Sequence, residues 1–219
     1  RRQRQMCIRD SSYSISLGNT HQDGIISSTG MDRYNVKVSA DTKLTNNWSS
    51  GFTANYITTS IDKAVTSGNG LLRTVYAAPP SYDLAGIPSH VDGNPYTQNS
   101  FRGSFDNAYW AMENNKFTED TNRFFGNVYA SYQTDFGTTN HKLNAKYMVG
   151  VDAYTTHYVD SYGYGSNTGG GRGQIENYGW TNATYNSLLT INYDWHINED
   201  WGLNAVCLLY TSPSPRDCS

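Results

Sequence analysis

Lys142-Leu143-Asn144-Ala145-Lys146-Tyr147-Met148-Val149-Gly150-Val151-Asp152-Ala153 is the stretch that decides the fold. Leu143, Ala145, Tyr147, Val149, Val151 and Ala153 share one phase of a two-residue period, and Lys142, Asn144, Lys146 and Asp152 share the other. Period two is the signature of a β-strand with unlike faces. Persistence over roughly ten residues matches the length a tilted strand needs to cross a bilayer.

The same signal recurs on both sides. Tyr34, Val36, Val38 and Ala40 oppose Asn35, Lys37 and Ser39; Trp48, Phe52, Ala54 and Tyr56 oppose Ser49, Thr53 and Asn55. Phe124, Val128, Ala130, Tyr132 and Phe136 alternate with Asn127, Ser131, Gln133 and Asp135, with Gly126 in the apolar phase. Tyr185, Leu189, Ile191, Tyr193 and Trp195 alternate with Asn186, Thr190, Asn192 and Asp194. Shorter flanking strands are predicted at 12–18 and 201–206, which makes about seven in all.

Alternation alone also suits a soluble sheet with one wet face, so a soluble all-β carbohydrate-binding module is the first alternative. The connections separate the two. They run short at Asp41–Asn47, Gly137–Asn140 and His196–Asp200, and long at about Asp62–Asn122 and Asp160–Asn182. Tight periplasmic turns and long extracellular loops are the asymmetry of outer-membrane barrels. Loops of such length are rare in compact soluble domains. Trp48, Phe136, Trp195 and Trp201 flank the short turns and would form the periplasmic aromatic girdle, with Tyr34, Tyr56 and Phe124 as outer candidates. The expected fold is therefore an all-β, antiparallel transmembrane β-barrel, of which this chain supplies a fragment. Its place is the outer membrane of a Gram-negative bacterium, in contact with lipid.

Composition agrees. Aromatic residues make up 14% of the chain and tyrosines number 18, yet its mean hydropathy is negative. No apolar run approaches the eighteen or so residues of a membrane helix.

The two ends read as foreign. Met6-Cys7-Ile8-Arg9-Asp10 can be encoded as ATG-TGT-ATA-AGA-GAC, and the reverse complement of that DNA leads into TGT-CTC-TTA-TAC-ACA, which encodes Cys207-Leu208-Leu209-Tyr210-Thr211. An inverted DNA repeat of this kind resembles the transposase adaptors of sequencing libraries. Residues 1–11 and 207–219 are thus expected to be adaptor-derived and 12–206 native. All three cysteines, Cys7, Cys207 and Cys218, fall in those ends, so no disulfide framework or thiolate metal site is expected. Taking Arg1, Arg2, Arg4, Arg9 and Arg216 from 16 basic residues, and Asp10 and Asp217 from 19 acidic ones, leaves 11 against 17. A formal charge of −6 argues against nucleic acid as a partner.

Particular strings then become informative. Ser16-Leu17-Gly18, Gln22-Asp23-Gly24-Ile25-Ile26, Asp32-Arg33-Tyr34-Asn35, Asn107-Ala108-Tyr109-Trp110 with Glu113-Asn114-Asn115, and Asp120-Thr121-Asn122-Arg123-Phe124-Phe125-Gly126-Asn127 together resemble the SusC/RagA branch of TonB-dependent outer-membrane transporters. The resemblance spans roughly 12–155. It implies a 22-stranded barrel with a plugged lumen. It further implies energisation through TonB, a SusD-like lipoprotein partner, and import of oligosaccharides or peptides. The family's plug, TonB-contacting segment and closing strand are not matched, so the chain is expected to be about a third of a barrel wall. A TonB-independent, porin-like barrel is the second alternative.

Catalytic chemistry finds no candidate: there is no Gly-x-Ser-x-Gly elbow, and Glu119-Asp120 and Glu199-Asp200 are neighbours whose side chains point to opposite faces. His21, His90, His141, His157 and His196 lack zinc spacing, and Asp92-Gly93-Asn94 is more simply a turn than a calcium loop. Gly169-Gly170-Gly171-Arg172-Gly173 lacks the ending of a phosphate loop and reads as a flexible loop. No metal, cofactor or enzymatic activity is expected. Binding of a glycan or peptide would fall to rings in the loops: Tyr82, Tyr96, Tyr109 and Trp110 in the first, Tyr162, Tyr164 and Trp180 in the second. Asn55, Asn127, Asn144, Lys146, Asp152 and Asn192 are expected to face the lumen.

Overall fold

The computed structural model describes residues 11–65, 70–92, 94–136, 140–198 and 200–211. In chain order the elements are β1 (Ser11–Asp23), β2 (Gly30–Lys43), β3 (Trp48–Lys63), α1 (Leu71–Ala77), β4 (His90–Val91), β5 (Asn94–Gln98), α2 (Ala108–Asn114), β6 (Lys116–Asp135), β7 (His141–Tyr162), β8 (Gln174–His196) and β9 (Gly202–Thr211). The chain is all-β, dominated by one antiparallel seven-stranded sheet in the order β1-β2-β3-β6-β7-β8-β9, with β4 and β5 as a separate hairpin. Each strand pairs with its sequence neighbour in that sheet, the simplest meander, so every connection closes on an adjacent strand.

Register carries the apolar residues into continuous cross-strand rows. One row reads Leu17, Val36, Tyr56, Phe124, Ala153, Ala183; the next reads Ile15, Val38, Ala54, Gly126, Val151, Tyr185. Rows of the other parity are polar, such as Ser39, Thr53, Asn127, Gly150, Asn186. A slip of one residue on any strand would move its whole apolar set to the wrong face, so the agreement across the sheet fixes the register. The apolar band crosses the rows obliquely. It occupies 34–40 on β2 but extends to Trp195 on β8, whose partner His141 lies beside the turns.

No second layer covers this face among the described residues. Ile15 is 74% exposed, Val128 52%, Tyr185 69% and Leu209 66%. The buried apolar side chains instead gather around the loops: Phe105, Ala108, Trp110, Ala111 and Phe117.

The strands run further than their apolar phases. Loops predicted at 62–122 and 160–182 shrink to 64–115 and 163–173, because 116–123, 154–162 and 174–184 remain paired. These extensions are rich in Thr and Tyr, which suit a pleated surface without an apolar face. Thr121–Thr156 (3.1 Å) and Thr155–Thr181 (3.0 Å) hydroxyl bonds tie them across the sheet. Nor is the first loop structureless: it holds α1, α2 and the β4–β5 hairpin, with Asn107 capping α2 by accepting from the amides of Tyr109 and Trp110.

At the ends, β9 continues through Thr211, pairing 207–211 with 187–191, so the boundary expected at 206 does not interrupt the strand. Residues 1–10 and 212–219, and the positions Gly93, Gly137 and Glu199, lie outside the described residues.

Candidate functional site

The rings predicted from the loops separate into several environments. Trp110 is fully buried, and its indole N–H donates to the Pro95 carbonyl at 2.8 Å, so it packs the loops together and presents no face to a ligand. Tyr82 packs on Phe101 at 5.5 Å. Tyr96 and Tyr164 come from different loops and meet edge to face at 5.5 Å, both largely exposed. Tyr109 sits half-exposed on α2. Tyr162 meets Phe117 edge-on at 5.0 Å, and Trp180 stands on β8.

Trp180 belongs to a platform on the polar face of the sheet. Tyr158 of β7 lies between Trp180 (5.1 Å) and Tyr178 (5.0 Å), the two tyrosine rings nearly parallel at 8°. Pairing puts Tyr158 opposite Tyr178, and the next polar-phase row on β8 brings Trp180. The Lys63 ammonium rests 4.3 Å above the Tyr158 ring and bonds Glu119 at 3.1 Å, while the Tyr178 hydroxyl donates to Asp160 at 3.2 Å. Both phenols lie beyond the apolar band. Desolvation, and then the carboxylates of Glu119 for Tyr158 and Asp160 for Tyr178, hold them above the ordinary tyrosine range, so both remain O–H donors. A cavity of about 170 Å³ adjoins them, lined by Lys63, Ala64, Val65, Phe117, Asp160, Tyr162 and Tyr178. Flat rings flanked by fixed charges can stack a ligand and orient its polar groups.

Sequence reasoning missed Tyr158 and Tyr178. The signal was the phase itself: counting on by twos from Lys146 and Asp152 reaches Tyr158, and counting back from Asn192 and Asn186 reaches Trp180 and Tyr178.

Further toward the turns, Asn55, Asn127, Asn144, Lys146, Asp152 and Asn192 all share this polar face. Several of its charged groups are held by neighbouring side chains. Arg123 Nε donates to Asp152 at 2.9 Å, Lys146 lies 4.3 Å over Tyr129, and the Tyr129 hydroxyl donates to Asp41 at 2.6 Å. On the apolar face at the turn end, Trp48 contacts Tyr132 at 4.9 Å and Trp195 stacks on His141 at 5.4 Å. Phe136 and Trp201 stand exposed where β6 ends and where β9 is about to begin.

Glu119 and Asp120 do point apart, Glu119 to Lys63 on one face and Asp120 to Ser60 on the other. The five histidines lie apart, and among the described residues no group of three His, Cys, Asp or Glu side chains could hold a metal ion. No protein-family model matches the chain, and no curated protein matches it in sequence.

Proposed function

We propose that this sheet is part of the wall of a transmembrane β-barrel in a Gram-negative outer membrane, its apolar rows against lipid and its polar face toward a wet lumen. One observation carries the reading: from β1 to β8 of the sheet the apolar phases fall on a single exposed face, which Leu203 and Ala205 of β9 continue, and among the described residues no other layer covers it. Exposed apolar area on that scale is untenable in water and suits hydrocarbon. The oblique course of the band fits strands tilted to the membrane normal, as barrel closure requires. Short turns at one end and the long loops at the other give the sidedness of such barrels. In a lipid setting the free edges of β1 and β9 must find further strands, because unpaired backbone groups there cost on the order of several kcal/mol each.

The barrel is that of a TonB-dependent, SusC/RagA-like importer of oligosaccharides or peptides, working with a SusD-like lipoprotein. The sequence strings at 16–35 and 107–127 support this, and the ring platform gives the lumen face a surface on which a sugar or peptide can stack. Quenching by brominated lipids tests the membrane reading. Single fluorophores at Val38, Val128 and Val149 should be quenched and those at Asn127 and Asn144 spared; equal quenching on both faces sinks it. Genomic DNA upstream of Ser12 tests the transporter reading: it should encode a plug domain, whereas a signal peptide directly before Ser12 would favour a porin-like barrel.

A further inference from the structure

We propose that the two long loops behave as one body, a cap latched by the buried carboxylate of Asp106. Asp106 lies in the 64–115 loop and is 1% exposed. One oxygen accepts from the Gln98 amide at 2.8 Å, and from the backbone and side-chain nitrogens of Asn167 at 2.7 and 2.8 Å; the other accepts from Ser166 Oγ at 2.6 Å. Three of these four donor groups belong to the 163–173 loop. A carboxylate taken out of water needs its donors, and donors bound to it are equally stranded if it leaves.

Other contacts fix the same junction. Gln98 also donates to the Gly165 carbonyl at 2.8 Å, and Asn115 Oδ1 accepts from the Gly163 amide at 2.8 Å. Gly165 has φ +101°, and a Cβ there would lie 2.2 Å from the Tyr96 carbonyl oxygen, so only glycine permits this approach. The approach also sets Tyr164 against Tyr96. Beyond the latch, Gly169, Gly170, Gly171 and Gly173 all have positive φ, and a Cβ on Gly170 or Gly171 would meet nothing. Crowding does not demand glycine at those two positions; backbone freedom does, which makes the run a tether on which the latched segment swings. Neither loop can lift without the other. Where the polar face is a lumen, as proposed above, the cap roots at Phe117 and Tyr162 beside the platform cavity and acts as a single gate; the latch itself does not depend on that reading.

Hydrogen exchange on the full chain in detergent micelles tests the latch. Asp106→Ala should speed exchange by about tenfold or more over 94–115 and 163–168 together, while strand amides in 124–135 and 143–153 stay as they were. Asp106→Asn, which keeps one acceptor, should fall between. Loosening of 163–168 alone, or of neither segment, overturns the proposal. Should Asp106→Ala fail to fold, the double variant Ser166→Ala with Asn167→Ala removes the donors from the far side. It should loosen both segments in the same way, and a response confined to 163–168 again overturns the latch.

Discussion

The sheet and the cap of the same chain obey opposite rules of solvent. The sheet has a ladder of paired strands and almost no buried side chain: Val128 and Tyr185 lie open on one face, and paired charges such as Arg123–Asp152 on the other. The cap has little regular structure, with helices of seven residues each, yet it holds a core around Trp110 and a buried carboxylate with its full set of donors. In the sheet, backbone groups are paired between neighbouring strands, with free edges at β1 and β9, and the apolar side chains of one face are left uncovered among the described residues. In the cap, side chains satisfy one another and water is excluded locally. The first arrangement is stable where hydrocarbon replaces water on one face, and the second is the ordinary economy of a water-soluble fold.

The comparison can be broken most forcefully at Trp110. Trp110→Ala should destabilise the cap by roughly 3–5 kcal/mol, the range for deleting a buried large ring. Exchange of cap amides would report it, and equal loss of protection in the sheet would show that the two regions are not separate.

Val149→Arg places a charge in the middle of the apolar band and should cost about 2–4 kcal/mol of folding into lipid bilayers. Asn144→Arg, on the polar face of the same strand, should cost little. Urea titration in liposomes distinguishes them, and equal costs would erase the difference between the faces.

Loss of the Asn107 side chain, which caps α2, should cost about 1 kcal/mol in the cap alone. Circular dichroism cannot resolve so short a helix, so exchange over 108–114 is the measurement. A smaller effect still is expected from Arg123→Ala. Its ion pair with Asp152 is partly exposed and contributes at most about 1 kcal/mol, read from the urea midpoint.

The smallest effect is a titration. His21 lies beyond the apolar band on β1, and its pKa is raised above 6.5 first by its hydrogen bond to Asp32 and then by the charges of Asp32 and Asp23. A raised folded-state value means that the contribution is complete below about pH 6.5 and is lost as pH climbs through the folded-state pKa. The ring resonances of His21 should titrate above the ordinary value and return toward it in Asp32→Asn.

The two regions also differ in how far they could be read from sequence. The apolar sets at 31–40, 48–58, 124–136, 142–153 and 185–195 each found their strand and their face, because alternation is a local signal that the ladder merely repeats. The strand extensions at 116–123 and 174–184 were missed, since polar residues on both faces of a strand leave no amphipathic trace. Tyr178 fell into the second of these, and Tyr158 into the matching extension at 154–162. Within the loops, Trp110 and Tyr96 look alike as isolated rings, and only the packing around Gly165 and Asp106 makes one a core residue and the other a surface residue.

From sequence alone came the strands, the phase of each and the sidedness of turns and loops, because each is written in spacing between near neighbours. Tertiary structure decided how far the ladder climbs, which rings share a platform, and that Asp106 joins two loops distant in sequence. Those depend on contacts between residues that are distant in sequence, twenty positions apart for Tyr158 and Tyr178 and sixty for Ser166 and Asp106, and the spacing of near neighbours does not say which of them meet.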